Sequence, residues 1–481
     1  MKFLILINSA PDYQPFFCDI GNRLLAEGHE VVYAIESKLG DFEYLEHKVS
    51  TPYVFSEYLL KNPGTPELPK AYRELNVWET MFSDFDRNEN FDVNRSRTAE
   101  WYTRITNSLF CFFEKIQVEN GIDLVIYENV SNSFSHVAFE VFKAHGVPYL
   151  GWASSRFPGR YESNMTVRSL SEVVSAIYDK LVDGRFVPSR ETMEWVTRYY
   201  ENFMEVPPDY MVNNPLNLQN PFTMYLKSTK LRTVYRRFRY VLSEPSDTYP
   251  YHLGNPLVFS YKQFTRSLTR FFKTKLIGKH FKKPDFSVPY ILYPLHFHPE
   301  SSTSVWAKNY VDEYTVIKNI AFNMPAGHLL YLKDHKSAFG YPSLDFYRSI
   351  SALPNVVLLR PDTPTKLLIE KSRAVITITG TVGFESLVLG KRVIVLGSIF
   401  YDFHPRCRKM THWDELFDLL SEAVNDSSES PLSERMNLIV AYYEATRPGR
   451  LLIGGENTAE LMASLALEAI EVGEAHKLVQ S

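Results

Sequence analysis

A chain of 481 residues is too long to close around one core, so two domains, with room for an extra subdomain, are the first expectation. Its 45% hydrophobic and 22% charged residues are those of a soluble globular protein, and a net charge of −4 gives no general reason to bind nucleic acid. Three cysteines, Cys18, Cys111 and Cys407, lie far apart without a CxxC pair; this argues against a metal knuckle or disulfide framework and fits a reducing cytoplasm.

The opening MKFLILINSAPDY has an apolar run only from Phe3 to Ile7, too short for a signal peptide core, and reads as a first buried strand. No run approaches the ~18 apolar residues of a membrane span. After the strand KFLILIN (2–8), a helix is expected from Pro15 to Glu27, with Phe16, Phe17, Ile20, Leu24 and Leu25 roughly on one face and Gly28 closing it. EVVYAIE (30–36) is the next strand, which completes a βαβ opening. Residues 40–120 read as helices and long loops. A second cycle follows: the strand LVIYEN (124–129), a helix over 133–145, and a strand from Val147. Residues 1–165 are therefore expected to form a doubly wound, Rossmann-like domain.

From 166 to 283 the βα rhythm is lost, and a helical insert or linker is expected. Residues 227–283 hold fourteen Lys or Arg against two acids, Glu244 and Asp247, interleaved with aromatics in YRRFRY (235–240) and TRFFKTK (269–275). A solvated helical insert is one reading. A face docking on an anionic membrane surface, such as the inner face of a bacterial inner membrane, is the other. Nucleic acid is disfavoured because no groove-reading motif accompanies the charge. Residues 284–430 return to alternation. Strands are expected at 289–297, 328–335, 355–359, 374–379 and 392–397, and helices at 312–324, 343–353, 364–372 and 382–390, giving a parallel sheet covered on both faces. The tail, 431–481, is largely helical and is expected to pack back across both domains.

Ligands of an open parallel sheet bind at the carboxyl ends of its strands. Thr379-Gly380-Thr381 sits at such an end and opens a helix, where small residues let backbone N–H groups face an anion. Glu385 falls about one turn later, placed to accept hydrogen bonds from a ribose diol; a plain strand–helix turn with a helix-start acid is the alternative. His296, His298 and Glu300 cluster at the end of this domain's first strand, and Lys333, Asp334 and His335 at the end of its second. A lysine and up to three histidines facing a helix N-terminus would make an electropositive cleft suited to a diphosphate or phosphodiester leaving group. Zinc held by His296, His298 and His335, and core histidines satisfied by backbone, remain as alternatives.

The stretches LHFHPESSTS, MPAGHLLYLKDH, FYRSISALPNVVLL and ITITGTVGFESLVLGKRVIVLGSIFY resemble the bacterial capsule and surface polysaccharide biosynthesis family, which includes Kdo-transferase-like proteins of the GT-B glycosyltransferase fold. The resemblance is close over about 285–405 and looser in IYENVSNSF and YLGWASSRFPGRY. It implies two Rossmann-like domains facing a cleft, with a CMP- or UDP-linked sugar donor on the second domain and an oligosaccharide or glycolipid acceptor of a growing capsule or lipopolysaccharide on the first. It implies that His298 and Glu300 line the donor site, Lys333 and His335 meet phosphate, Gly380 and Thr381 bind phosphate by backbone, and Glu385 holds the ribose. Many relatives read Lys-Glu-His-Pro where this chain has Lys333-Asp334-His335-Lys336.

Transfer to an acceptor hydroxyl needs a base or a nucleophile. In this fold it comes from strand ends of the first domain, where Glu128 and Asp12 are the candidates; each could instead serve as a helix N-cap or first-turn acid. Arg156 and Arg160 are candidates for an acidic acceptor or donor carboxylate, with a surface loop as the alternative. Because no DxD-like pair stands out at a strand end, a metal-independent transfer without further cofactor is expected. A sugar-nucleotide epimerase of the same architecture and a catalytically silent GT-B partner within a polysaccharide-assembly complex are the rivals.

Overall fold

The computed structural model describes residues 1–8, 13–39, 52–87, 97–167, 170–207, 221–298, 300–426, 428, 430–453 and 455–480. Among the described residues thirteen strands are named in chain order. In the first half they are β1 (Lys2–Ile7), β2 (Glu30–Ile35), β3 (Tyr53–Val54), β4 (Leu124–Glu128), β5 (Tyr149–Ser154) and β6 (Arg160–Asn164). In the second they are β7 (Tyr290–Pro294), β8 (Leu329–Lys333), β9 (Val356–Leu359), β10 (Ala374–Thr377), β11 (Arg392–Val395), β12 (Cys407–Lys409) and β13 (Arg447–Pro448).

They form two sheets. The first has the order β13-β6-β5-β4-β1-β2-β3, and the second β12-β11-β10-β7-β8-β9. In the first, β3, β2, β1, β4 and β5 are parallel, and β6 and β13 pair antiparallel at one edge. In the second, every pairing is parallel. Each order runs outward from a first strand and then reverses, the doubly wound arrangement whose crevice lies where the strand order turns. That crevice falls between β1 and β4 in one domain and between β7 and β10 in the other.

Continuous apolar runs explain the central strands. Phe3 to Ile7 are at most 3% exposed, as a strand covered on both faces requires. The peripheral strands β3, β6, β12 and β13 lack such a run, and nothing in the local pattern marks them. The helix expected from Pro15 spans Tyr13–Ala26. The strand expected over 289–297 stops at Pro294, whose ring nitrogen offers no N–H to extend the ladder. His296 and His298 therefore stand in a loop, not on one strand face.

The two halves of 166–283 pack differently. The helices Ser171–Val182 and Arg190–Glu201 lie against the helix Leu432–Glu444 on the second domain, in a core shared by Phe157, Tyr199, Phe384, Phe400 and Tyr442. The helices Ser228–Ser243 and Pro256–Leu276 form a hairpin. The loop before its second arm roots in the first domain, where Tyr251 is buried and His252 pairs with Glu36 at 2.6 Å. From the tail, β13 joins the first sheet, and the helix Ala459–Gln480 packs on Tyr13–Ala26 and buries Glu468 against the Trp152 indole N–H (3.0 Å) and the Tyr161 hydroxyl (3.0 Å).

Candidate active site

At the second crevice the chain leaves β7 through Leu295 to Glu300. His296 turns inward. Its Nδ1 lies 3.2 Å from Glu313 Oε1 and its Nε2 3.0 Å from Thr377 Oγ1, so it ties the end of β7 to the end of β10. Burial lowers its pKa. This corrects His296 from donor contact to internal brace. Glu313, the first residue of the helix Glu313–Phe322, was not singled out in the sequence, where it resembles any helix-start acid after the N-cap Asp312. Burial alone would raise it, but the hydrogen bond to His296 and the nearness of His298 hold it at about 2. His298 stays partly open, with its Nε2 3.8 Å from Glu313 Oε2. Among the described residues no group of three His, Cys, Asp or Glu side chains is placed to hold a metal ion.

Lys333 ends β8. Its ammonium donates to the Pro361 carbonyl at 3.2 Å, and burial lowers its pKa to about 8, so it is still a cation at neutral pH. Asp334 turns back into the domain, accepting from the His335 N–H (2.8 Å) and the Tyr347 hydroxyl (3.0 Å). Burial raises its pKa to about 7. His335 is half-buried, and its Nδ1 accepts from the Ala338 N–H at 3.3 Å. Burial, then His296 and Lys333, depress it to about 4. His335 is thus neutral at pH 7, as is His296, and the expected cluster of charged histidines is corrected for both. Lys333 and the helix start carry the positive potential that geometry assigns to this rim.

That helix is Thr381–Val388, with Gly380 at its N-cap. The Gly380 N–H donates to Thr377 Oγ1 at 3.1 Å, and Thr379 Oγ1 donates to the Ser302 carbonyl at 2.6 Å. A Cβ on Gly380 would stand 2.7 Å from Thr377 Oγ1, so only glycine allows this tight turn. Thr381 is partly exposed at the helix start. Glu385 lies one turn deeper and is 7% exposed. Burial raises it to about 7, against the pull of Lys366 and Lys333. The Glu300 carbonyl accepts from the Ser304 N–H (2.8 Å) and caps the short helix Ser301–Ser304.

The loops after β7 meet the first domain. The helix Trp78–Arg87 packs against Ser301–Ser304, Lys308 pairs with Glu79 at 2.9 Å, and Trp306 Nε1 donates to the Val167 carbonyl at 3.2 Å. Asp84 and Asp86 lie on this helix, and Asp84 is buried, accepting from the Ser133 N–H at 2.8 Å. Glu128 ends β4 at the first domain's crevice. Its carboxylate accepts from the Tyr13 hydroxyl (2.7 Å) and Ser131 Oγ (2.6 Å). Burial raises its pKa, opposed by those two bonds and by Arg87. Burial likewise raises Glu300, opposed by its hydrogen bond from Ser302 and by the charge of Arg87, which has no signature of its own in the sequence. Asp12 lies outside the described residues.

The two arginines serve the frame. Arg156 pairs with Glu162, and its backbone N–H donates to the Tyr442 hydroxyl at 2.9 Å. The Arg160 guanidinium binds Thr446 Oγ1 (2.8 Å) and the Tyr443 carbonyl (2.9 Å) and stacks on the Tyr443 ring at 3.7 Å. Arg160 thus spends its donors on the crossing into β13, the role of a structural clamp. Two surface concavities lie away from the crevices. One follows the helix Arg190–Glu201, and the other lies at the amino ends of β7, β10 and β11, near Pro289, Arg373 and Lys391.

Two Rossmann-like domains with loops meeting across facing strand ends define a GT-B architecture. Residues 226–405 match the family described as capsule polysaccharide biosynthesis protein, so the resemblance read over 285–405 holds and extends back through the basic hairpin. No curated protein matches the sequence. Solved structures similar to this chain include the beta Kdo 2,4 transferase of Thermosulfurimonas dismutans KpsC, at 13% identity and TM-score 0.36 over 72% of this chain and 88% of that one. The beta Kdo 2,7 transferase of the same protein aligns at 11% identity and TM-score 0.36, over 75% and 89%. The UDP-GlcNAc 2-epimerase of Neisseria meningitidis aligns at 11% identity and TM-score 0.29, over 98% and 99%.

Proposed function

We propose that this protein is a glycosyltransferase of surface polysaccharide assembly, taking a sugar from a CMP- or UDP-linked donor and adding it to a capsule or lipopolysaccharide acceptor. The observation that carries this reading is the convergence, at the β7/β10 crevice of a segment matching the capsule family, of a buried lysine, a glycine-capped helix start and a buried acid. Lys333 and the first-turn N–H groups after Gly380 would receive the donor's phosphates. Glu385 would meet the ribose. His298, His335 and Glu300 would line the sugar side.

The reaction breaks the bond between the anomeric carbon and the phosphate oxygen, which leaves with the electron pair. A new bond forms to the acceptor oxygen, whose proton passes to Glu128. Neutralising the leaving phosphate by Lys333 and helix dipoles would let the reaction run without a metal ion. His335, neutral at pH 7, suits a hydrogen bond to the leaving oxygen better than a point charge. The test is thermal unfolding with a panel of nucleotide sugars, followed by assays with acceptor. A true donor at a hundred times its Kd stabilises the fold by ~2.7 kcal/mol. If no nucleotide sugar shifts unfolding, the reading fails; conversion of the donor without acceptor would make the protein an epimerase.

A further inference from the structure

The hairpin carries an apolar surface that the transfer chemistry does not use. On the helix Ser228–Ser243, the residues Leu231, Val234, Tyr235, Phe238 and Leu242 recur at helical spacing and form one stripe. They are 41% to 72% exposed, and none of the described elements covers them. The opposite face, with Arg237 on Ser260 Oγ (2.8 Å) and over the Phe259 ring (5.2 Å), turns to the second arm. Lys230, Arg232, Arg236 and Arg239 are exposed along the stripe, and the helix contains no acid. The second arm adds exposed Val258, Tyr261, Phe272 and Leu276.

We propose that this hairpin is a docking surface for an anionic lipid bilayer, lying in the interface with its apolar stripe sunk among acyl chains and its cations among headgroups. An apolar face of this size costs solubility unless covered. Flanking cations on a helix without acids complement anionic headgroups. A second copy is a poor occupant, because it would set a fourteen-to-two excess of positive residues against itself. The hairpin is also firmly held. Arg270 donates to the Phe339 (2.7 Å) and Ser337 (3.1 Å) carbonyls, and Lys273 to those of Tyr341 (3.0 Å) and Pro342 (2.8 Å). These carbonyls belong to the loop that follows His335, so a docked hairpin sets the donor crevice beside the membrane. The proposal stands independently of the transferase reading.

The experiment is sedimentation of the full chain with vesicles of phosphatidylcholine alone and of phosphatidylcholine mixed with phosphatidylglycerol. The protein should pellet with the mixed vesicles, release with added salt, and ignore the neutral ones. A Phe238→Glu/Leu242→Glu variant should lose binding. A Lys230→Gln/Arg232→Gln/Arg239→Gln variant should partition about a hundredfold less, at about fivefold per charge. Both should keep the parent's circular dichroism and its thermal unfolding midpoint. The proposal is overturned if the unaltered protein stays in solution with mixed vesicles. It is equally overturned if sedimentation velocity shows a dimer that Phe238→Glu/Leu242→Glu splits, or if duplex DNA displaces the vesicles.

Discussion

The two crevices hold their ionisable groups by different means. At the β7/β10 crevice the partners come from neighbouring βα units of one sheet: His296 reaches Glu313 and Thr377, and Asp334 reaches Tyr347. At the β1/β4 crevice Glu128 also has near partners in Tyr13 and Ser131, but the cations arrive from remote connections. Arg87 comes from the helix Trp78–Arg87, and His252, from the hairpin's root, neutralises Glu36 at the end of β2. The first arrangement is built into the sheet, whereas the second depends on how long segments fold back. The β7/β10 crevice can thus be set by one domain alone, while the β1/β4 crevice needs cations docked from other parts of the chain.

Four substitutions put that contrast to the test. Glu128→Gln keeps the shape of the crevice but removes the proton acceptor, so turnover should fall by about 10²–10⁴-fold with donor affinity unchanged. Steady-state kinetics beside donor titration reads the split, and near-normal turnover would take Glu128 out of the reaction.

Glu36→Ala should cost about 3–5 kcal/mol in denaturant unfolding, because it strands His252 near Asp84 and Arg87 in the interior. Burial alone would push His252 down, but Glu36 and then Asp84 raise it above 6.5. A raised histidine gives stability that is whole below its unfolded pKa and lost as pH climbs through the folded one. Melting curves should therefore weaken from about pH 6.5 upward, and His252→Gln should flatten that slope. A slope unaltered in His252→Gln would assign it to another group.

Glu385→Gln has a smaller effect of opposite sign. An acid raised from 4.5 to about 7 costs the fold stability as pH rises through that window. The amide removes the cost, so above neutrality the variant should be more stable by on the order of 2 kcal/mol. It should also bind the donor about tenfold more weakly, having lost a charged acceptor for the ribose. Gain of stability without loss of affinity would separate Glu385 from the nucleotide.

The smallest effect is expected from Gly383→Ala. A Cβ there would overlap the Tyr401 hydroxyl, which donates to the Gly380 carbonyl at 2.6 Å. The overpacking should cost ~1–3 kcal/mol, partly recovered with Tyr401→Phe. Additive effects in that double-mutant cycle would show that the helix shifts as a body.

Much of the frame was legible because strand and helix signals are local. The runs at 2–8, 124–129 and 374–379 each became a central strand, and Gly380 opened a helix as its spacing implied. The strands β3, β12 and β13 escaped because two or three residues have no period to detect, and β6, RYESN, because it has no apolar run. Arg87 and Glu313 escaped because each resembles an ordinary helix-end residue; only their distant neighbours distinguish them. The histidines show the same boundary. His296 and His298 at one strand end, with Lys333 and His335 at the next, promised a cluster of cations, but burial keeps His296 and His335 neutral.

The sequence by itself determined where the chain alternates between strand and helix, and so which polar residues stand at strand ends. Apolar periodicity acts within one turn or one strand, and neighbouring residues suffice to set it. Packing alone settles which of those groups stay charged and that Arg160 clamps the crossing into β13. Ionisation depends on solvent and on charges a few ångströms away, and those distances exist only after segments far apart in sequence have packed together.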